Sequence, residues 1–215
     1  MEQPLQQSGQ QPSEKVPQIF LTILVVEMGL GGFALATAWL IGYRETTEIG
    51  VRVNTPQLFS QDLFWGTVAT LPMFTMAWLV ERSRLRSLRH LRLVVRRLVA
   101  GTFTEFSTWQ VALISLTAGV SEELLFRGIL FDALRDKADM SIVTWAALLA
   151  SSLLFGLAHA ITRAYLVLAM LIGIYLAVVL ICTDSLLAPM VTHALYDFVL
   201  LEYFLWRLAQ QKRTD

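Results

Sequence analysis

The amino-acid sequence predicts an all-α fold: a polytopic transmembrane helical bundle of about six spans with a basic amphipathic helix at its surface. Of the 215 residues, 55% are hydrophobic and only 16% are charged, against roughly 45 to 50% and 25% in soluble domains. The mean hydropathy is +0.57. Apolar runs long enough to cross a hydrocarbon core of ~30 Å recur along the chain. These observations exclude a disordered chain and an ordinary soluble domain.

Charge and cysteine usage exclude further classes of protein. The chain has 17 basic and 17 acidic residues, so its formal net charge is zero. A globally basic nucleic-acid-binding protein is therefore not expected. The single cysteine, Cys182, excludes a disulfide framework and a site with several thiolate ligands.

The N-terminal part begins with a predicted disordered tail, residues 1–17, which is rich in Gln, Pro and Ser. The first span follows from Gln18 to Gly42, and Glu27 is its one charged residue. A signal peptide is the rival interpretation because Ala34-Leu35-Ala36 resembles a cleavage site. The start of the chain lacks the positive charge of a signal peptide and the apolar stretch is longer, so we expect a membrane span.

The second span runs from Asp62 to Val80, with Pro72 inside it, so residues 18–81 form two N-terminal transmembrane helices. Residues 82–107 are predicted to form a basic amphipathic cytoplasmic segment. Its apolar side chains recur every three or four residues, as on one face of a helix: Leu85, Leu88, Leu91, Val95 and Leu98. The pattern predicts a helix that lies on the inner leaflet, attracted to anionic lipid. No aromatic residue lies between Arg82 and Arg97, which argues against nucleic acid as its partner.

The predicted catalytic domain, residues 108–208, contains four further spans, and residues 209–215 form a predicted C-terminal tail. These spans are Trp109–Leu134, Ile142–Ala160, Ala164–Thr183 and Leu186–Leu208, the last two being separated by a turn at Thr183-Asp184-Ser185. With six spans, twelve of the 17 basic residues lie on the side of both termini and four on the other side. The positive-inside rule therefore predicts cytoplasmic termini. We expect the protein in the cell (plasma) membrane.

Several ionisable side chains lie in the predicted spans, where each costs about 2.5 to 3.5 kcal/mol unless it has a partner or a function. Glu123 and Arg127 are four residues apart, so they are expected to form an ion pair on one helix face. Glu122 is turned about 100° away from Glu123 and has no partner on its own helix. Glu27 and Glu202 also lie in spans without an evident partner, and each is expected to contribute to a polar cavity or to extend toward the membrane surface.

Two histidines lie on separate spans, each four residues from a side chain that can contact it. Phe155 precedes His159, and His193 precedes Asp197, whose carboxylate is expected to orient the imidazole. A single histidine in a helical bundle is more often a packing residue than a catalyst. Two histidines together with Glu122 on three spans favour a functional site.

These motifs resemble a known family when they are taken in order. Glu122-Glu123-x-x-x-Arg127, Phe155-x-x-x-His159 and His193-x-x-x-Asp197, each on a hydrophobic helix, are similar to the motifs of the CAAX protease and bacteriocin-processing family of intramembrane endopeptidases. This family includes the type II CAAX prenyl proteases and the bacterial Abi proteins. The resemblance extends from about Gln110 to Tyr203.

The resemblance implies hydrolysis of a peptide bond by a water molecule that Glu122 activates, with assistance from His159. It implies that His193 and the residue four positions later polarise the carbonyl group or hold the oxyanion, while Glu123, Arg127 and Phe155 have supporting roles. The family usually has Asn where this chain has Asp197, and an ionised Asp cannot donate a hydrogen bond. No cofactor is required. If zinc is present, Glu122, His159 and His193 are the expected ligands.

The expected partners are a membrane-associated peptide or protein substrate and the lipid bilayer, without nucleic acid. Two alternatives remain open at this point. One is a proton-coupled membrane carrier, in which the same Glu, His and Asp residues form a proton relay; six spans without an inverted repeat do not favour it. The other is a catalytically silent membrane scaffold or immunity protein of the same fold.

Overall fold

The computed structural model describes residues 15–42, 55–132, 134–135 and 141–214. Every regular element in these ranges is helical, so the predicted all-α class is confirmed. The α-helices are α1 (Lys15–Leu40), α2 (Pro56–Arg82), α3 (Arg86–Thr102), α4 (Thr108–Glu123), α5 (Ile142–Ala158), α6 (Arg163–Thr183) and α7 (Leu187–Thr214), with a π-helical turn at Leu124–Ile129.

The helix ends follow from local sequence signals. Pro56 opens α2, where a missing backbone N–H does no harm. At the start of α4, the backbone N–H of Ser107 donates to Gln110 Oε1 at 2.9 Å. Thr162 Oγ1 accepts from the Tyr165 N–H at 3.1 Å and caps α6. Asp184 ends α6 in the left-handed conformation with φ 49°, which makes the predicted turn before α7.

Helices α4 and α7 pack against each other at the centre of the bundle. Helix α1 packs on α4, α2 packs on α7, and α5 packs on α6, which also contacts α7. The central contact is close because Gly119 on α4 faces Ala194 on α7. A Cβ atom at residue 119 would lie 2.7 Å from the backbone nitrogen of Ala194. The absence of a side chain at Gly119 therefore sets the separation of the two central helices.

Three helices of the described residues are long and apolar enough to cross a membrane: Val16–Leu40, Pro56–Arg82 and Arg163–Thr183. Helix α5, predicted as a span from Ile142 to Ala160, has 17 residues and ends at Ala158. At the helical rise of 1.5 Å it is about 25 Å long, shorter than a full span. The number of six spans stays a prediction.

The predicted third span, Trp109–Leu134, is helical from Thr108 to Ile129, but it is not α-helical throughout. Helix α4 ends at Glu123, and the π-helical turn follows, with N–H groups bonding to the carbonyl five residues earlier, as from Leu130 to Leu125 at 2.9 Å. All six residues of the turn are buried. Because they pack between α1, α5 and α6, the backbone is held in a wider turn, a device often found at functional sites.

The two predicted tails also differ from the structure where it describes them. Helix α1 begins at Lys15, three residues before the predicted span, and residues 1–14 lie outside the described residues. Helix α7 continues to Thr214 rather than ending at Leu208. The polar residues after Leu208 therefore extend the helix, in keeping with the high helix propensity of Gln, Lys and Arg.

Helix α3 forms as predicted, but its apolar stripe does not face the lipid along its length. Leu91 of this stripe is buried, as is Val99 next to the stripe, and the helix contacts α2, α6 and α7. Leu85 and Leu98 of the stripe are exposed. The bundle therefore covers the stripe at Leu91, and the attraction of the helix to the inner leaflet stays a prediction.

Polar contacts hold α3 against the end of α2. Arg92 donates to the backbone carbonyls of Val80 and Ser83 at the end of α2, and the Val80 carbonyl also accepts from the Ser83 N–H. Arg96 forms an ion pair with Glu81 of α2. Arg92 and Arg96 are thus bound to the end of α2, while Arg86, Arg89, His90 and Arg97 are exposed.

We expect Gly119→Ala to lower the melting temperature, because the added methyl group overlaps Ala194 and overpacking of this kind costs about 1 to 3 kcal/mol. The matched control is Gly29→Ala on α1, where a Cβ meets no atom within 4 Å. Thermal unfolding in detergent, followed by intrinsic fluorescence, measures both. An unchanged melting temperature for Gly119→Ala would contradict the close packing of α4 on α7.

Candidate active site

A buried carboxylate on α4 connects three parts of the chain. Glu123 Oε1 accepts a hydrogen bond from Arg127 Nη1 at 2.7 Å and lies 2.8 Å from His193 Nδ1. Both Glu123 and Arg127 are almost completely buried, at 0% and 1% exposure of the side chain. The predicted ion pair is therefore present. The contact with His193 was not predicted, because it joins residues 70 positions apart on α4 and α7.

The Arg127 guanidinium is enclosed by aromatic and small residues. Its central carbon lies 4.3 Å from the centre of the Phe155 ring, a cation–π arrangement. A Cβ atom on Gly173 of α6 would lie 3.3 Å from Arg127 Nη2. The Phe155 ring also packs edge-on against Phe126 and His193, at centroid distances of 5.1 and 5.8 Å. Phe155 thus separates the buried cation from the rest of the site.

His193 lies between two carboxylates. Glu123 faces Nδ1, and Asp197 Oδ2 lies 3.4 Å from Nε2. The expected i,i+4 contact with Asp197 is present, but the shorter contact that orients the ring comes from Glu123. Since a carboxylate only accepts hydrogen bonds, Nδ1 carries a hydrogen, and Nε2 faces Asp197 at a longer distance.

Glu122 and His159 form the second polar pair. His159 Nε2 lies 3.5 Å from Glu122 Oε2, and His159 Nδ1 lies 2.9 Å from the carbonyl oxygen of Phe155. Since a carbonyl accepts, Nδ1 carries the hydrogen and Nε2 is the nitrogen that faces Glu122. His159 is the residue at which α5 ends. The contact of His159 with Glu122 places the end of α5 at the same depth in the bundle as Glu122. A straight α5 that crosses the whole membrane would place His159 near the membrane surface instead.

A cavity of about 430 Å³ adjoins these polar groups, and His159, His193 and Asp197 are among its lining residues. Sequence analysis did not single out two further polar residues of its wall, Tyr165 and Tyr196. The Tyr165 ring stands perpendicular to the His159 ring, with the centroids 5.9 Å apart. The remaining wall is largely apolar and comes from α2, α3, α6 and α7. The space beside the polar groups therefore suits an apolar ligand segment.

Glu27 on α1 also belongs to this polar region. Its carboxyl group interacts electrostatically with Glu122, His193, Asp197 and His159. In the sequence, Glu27 stands out as a single charge in an otherwise apolar span. The sequence of α1 does not indicate which helix Glu27 faces. Glu202, the other acidic residue without an evident partner, is not among the residues that line the cavity.

The alternative zinc site does not fit this arrangement. Across the described ranges, no group of three or more His, Cys, Asp and Glu side chains is placed so that it could hold a metal ion.

The fold and the site are those of an α-helical membrane protein with a buried glutamate–histidine site beside an apolar cavity. Residues 104–199, slightly less than half of the chain, match a family model named Rce1-like. Its description is "Type II CAAX prenyl endopeptidase Rce1-like". The match confirms the family resemblance of the motifs, and this part of the chain is Rce1-like. No curated protein and no solved structure matches the chain. The family indicates a CAAX-type intramembrane protease.

We expect Glu123→Gln to lower the melting temperature strongly, because it leaves the Arg127 cation buried without an opposite charge. Removing one partner of a buried ion pair costs about 3 to 5 kcal/mol. Glu122→Gln is expected to melt near the wild-type temperature, since Arg127 forms its ion pair with Glu123 and the contact of Glu122 with His159 is long at 3.5 Å. Thermal unfolding of the two purified variants measures the difference. Equal losses would show that Glu123 has no special structural role.

Proposed function

We propose that this protein is an intramembrane endopeptidase that hydrolyses a peptide bond of a membrane-associated peptide or protein by means of a glutamate-activated water molecule. One observation carries the proposal. His159, His193 and Asp197 line an apolar cavity, and Glu122 lies 3.5 Å from His159. A base beside the cavity, a second proton carrier and a hydrogen-bond donor on its wall are thus close together, as acyl transfer to water requires.

Glu122 is the proposed base. It takes a proton from a water molecule, and the water oxygen forms a bond with the carbonyl carbon of the substrate. His159 assists at this step, because its Nε2 faces Glu122 and can exchange a proton with it. When the C–N bond breaks, the electron pair goes to the nitrogen, and the proton held by Glu122 passes to this leaving amine.

His193 is the proposed donor to the oxyanion. Glu123 orients the ring through Nδ1 and leaves Nε2 beside the cavity, where the contact with Asp197 is long at 3.4 Å. A hydrogen on Nε2, carried together with the one on Nδ1 by the protonated imidazole, can therefore be shared between Asp197 and the developing oxyanion. Asp197 does not donate in this proposal. Its carboxylate holds the imidazole in position and favours the form with a hydrogen on Nε2.

The proposed substrate class follows from the cavity and from the family. The wall is largely apolar, with Met73, Trp78 and Leu168 among its residues. The family description names a CAAX prenyl endopeptidase. We therefore propose a substrate whose cleaved segment carries or adjoins an apolar chain and enters from the bilayer. Its partners are this substrate and the lipid, and no cofactor is needed.

We expect Glu122→Gln to fold normally and to lose cleavage, because the amide cannot take a proton from water. His193→Ala is expected to lose about 100 to 1,000-fold in kcat, the usual cost of one oxyanion donor. The assay uses purified protein with an internally quenched, farnesylated peptide ending in a CAAX sequence, together with an unprenylated quenched library. Glu202→Gln is the matched control and should cleave like the wild type.

Each other outcome of this assay contradicts part of the proposal. Full activity of Glu122→Gln would overturn the role of Glu122. No cleavage by folded wild-type protein of either probe would favour the silent scaffold, and solute flux into proteoliposomes would favour the carrier. Activity should survive exhaustive chelation. Loss on chelation with recovery by zinc alone would overturn the metal-free mechanism.

We further propose that both termini lie on the cytoplasmic side of the plasma membrane, in support of which twelve of the 17 basic residues lie on that side in the six-span arrangement. Cysteines introduced at Ser8 and at Thr214, each in a Cys182→Ala background, should resist an impermeant maleimide added to intact cells. They should react after permeabilisation. Efficient labelling of either position in intact cells would refute this topology.

A further inference from the structure

Glu27 is the unexplained acidic residue of the polar region. It is the one ionisable residue between Val16 and Leu40, in a helix apolar enough to cross a membrane. Helix α1 lies outside residues 104–199, so the family match assigns no role to it. A carboxyl group in such a helix is costly, so a function is expected for it.

The packing of α1 on α4 brings Glu27 to the site. A Cβ atom on Gly31 would lie 2.8 Å from Ser121 Oγ, so the two helix backbones approach closely at this point. Ser121 directly precedes Glu122. Glu27 lies four residues before Gly31 and therefore on the same face of α1. The small residue at position 31 thus allows the face that carries Glu27 to lie against α4 beside Glu122.

The charges around Glu27 come from three elements. Its carboxyl group interacts with Glu122 of α4, with His193 and Asp197 of α7, and with His159 at the end of α5. Repulsion by Glu122 is the largest of these interactions. Glu27 Oε2 and Glu122 Oε2 are both buried, and neither has a hydrogen-bond partner among the described residues.

Two carboxyl groups that interact in a poorly solvated site cannot both be ionised at low cost, and a pair of this kind retains one proton. Glu122 Oε2 has an imidazole nitrogen, His159 Nε2, at 3.5 Å, and a protonated ring there stabilises the carboxylate. Among the described residues, Glu27 Oε2 has no hydrogen-bond partner. The proton therefore belongs on Glu27, and the negative charge on Glu122.

We propose that Glu27 is a positioning residue of the site: its protonated carboxyl group donates a hydrogen bond to Glu122 and holds that carboxylate in place as the base. This inference rests on the proposed function. Glu27 keeps its proton throughout the reaction, so the proton from water still passes through Glu122. The role requires a donor at position 27, not a charge.

The experiment compares Glu27→Gln, which keeps a donor of the same length, with Glu27→Leu, which removes it. We expect Glu27→Gln to retain kcat within about threefold. Glu27→Leu should lower kcat by at least tenfold with little change in KM, because a hydrogen bond to a charged group contributes about 1.5 to 3 kcal/mol. Glu202→Gln and Glu202→Leu on α7 are the matched controls. Glu27→Met replaces the leucine variant if that variant does not fold.

The pH profile of kcat distinguishes positioning from a purely structural role. Without the donor, the Glu122 carboxylate is less favoured, so the acidic limb for Glu27→Leu should move to higher pH, while Glu27→Gln leaves it in place. Wild-type activity and an unmoved profile for Glu27→Leu would overturn the inference. Equal loss in both Glu27 variants would also overturn it, since that result requires an ionised carboxylate. Activity of Glu122→Gln in the same assay would instead overturn the proposed function.

Discussion

The structure depends on one buried carboxylate oxygen, Glu123 Oε1, which binds Arg127 and also faces His193. An arginine with 1% exposure is tolerated only with an opposite charge, because moving an ion out of water costs several kcal/mol. The contact of Glu123 with His193 joins α4 to α7, while Phe155 from α5 and Gly173 from α6 enclose the guanidinium. Four helices therefore meet around this contact, and the geometry of the site follows from their convergence.

Contacts within one helix could be predicted from the sequence, and contacts between helices could not. The spacing of four residues identified the partners Glu123 and Arg127, and the same spacing identified the longer contact between His193 and Asp197. No spacing indicates that Glu123 also orients His193, since this depends on how α4 packs on α7. The π-helical turn was missed for a related reason: a run of apolar residues looks the same in an α-helix and in a wider turn.

Helix α3 is a second case in which the sequence does not predict contacts between helices, here for one whole face of a helix. Periodicity correctly predicts a helix with an apolar stripe, yet a stripe of this kind can be covered by lipid or by protein. The structure covers Leu91 and Val99 with protein. Arg92 caps the carbonyls at the end of α2 and Arg96 pairs with Glu81. The arginine density, which suggested attraction to anionic lipid, is thus partly explained by bonds within the chain.

The chemical groups and the space beside them come from different parts of the chain. Glu122, His159, His193 and Asp197 all lie in the Rce1-like region, residues 104–199. The cavity wall opposite them includes Met73 and Trp78 of α2 and Leu91 and Arg92 of α3. Because Arg96 and Glu81 fix α3 to α2, the shape of this wall is set by helices that the family match does not include. Under the proposed function, changes in α2 and α3 would therefore alter which apolar segment fits beside the site without changing its polar groups.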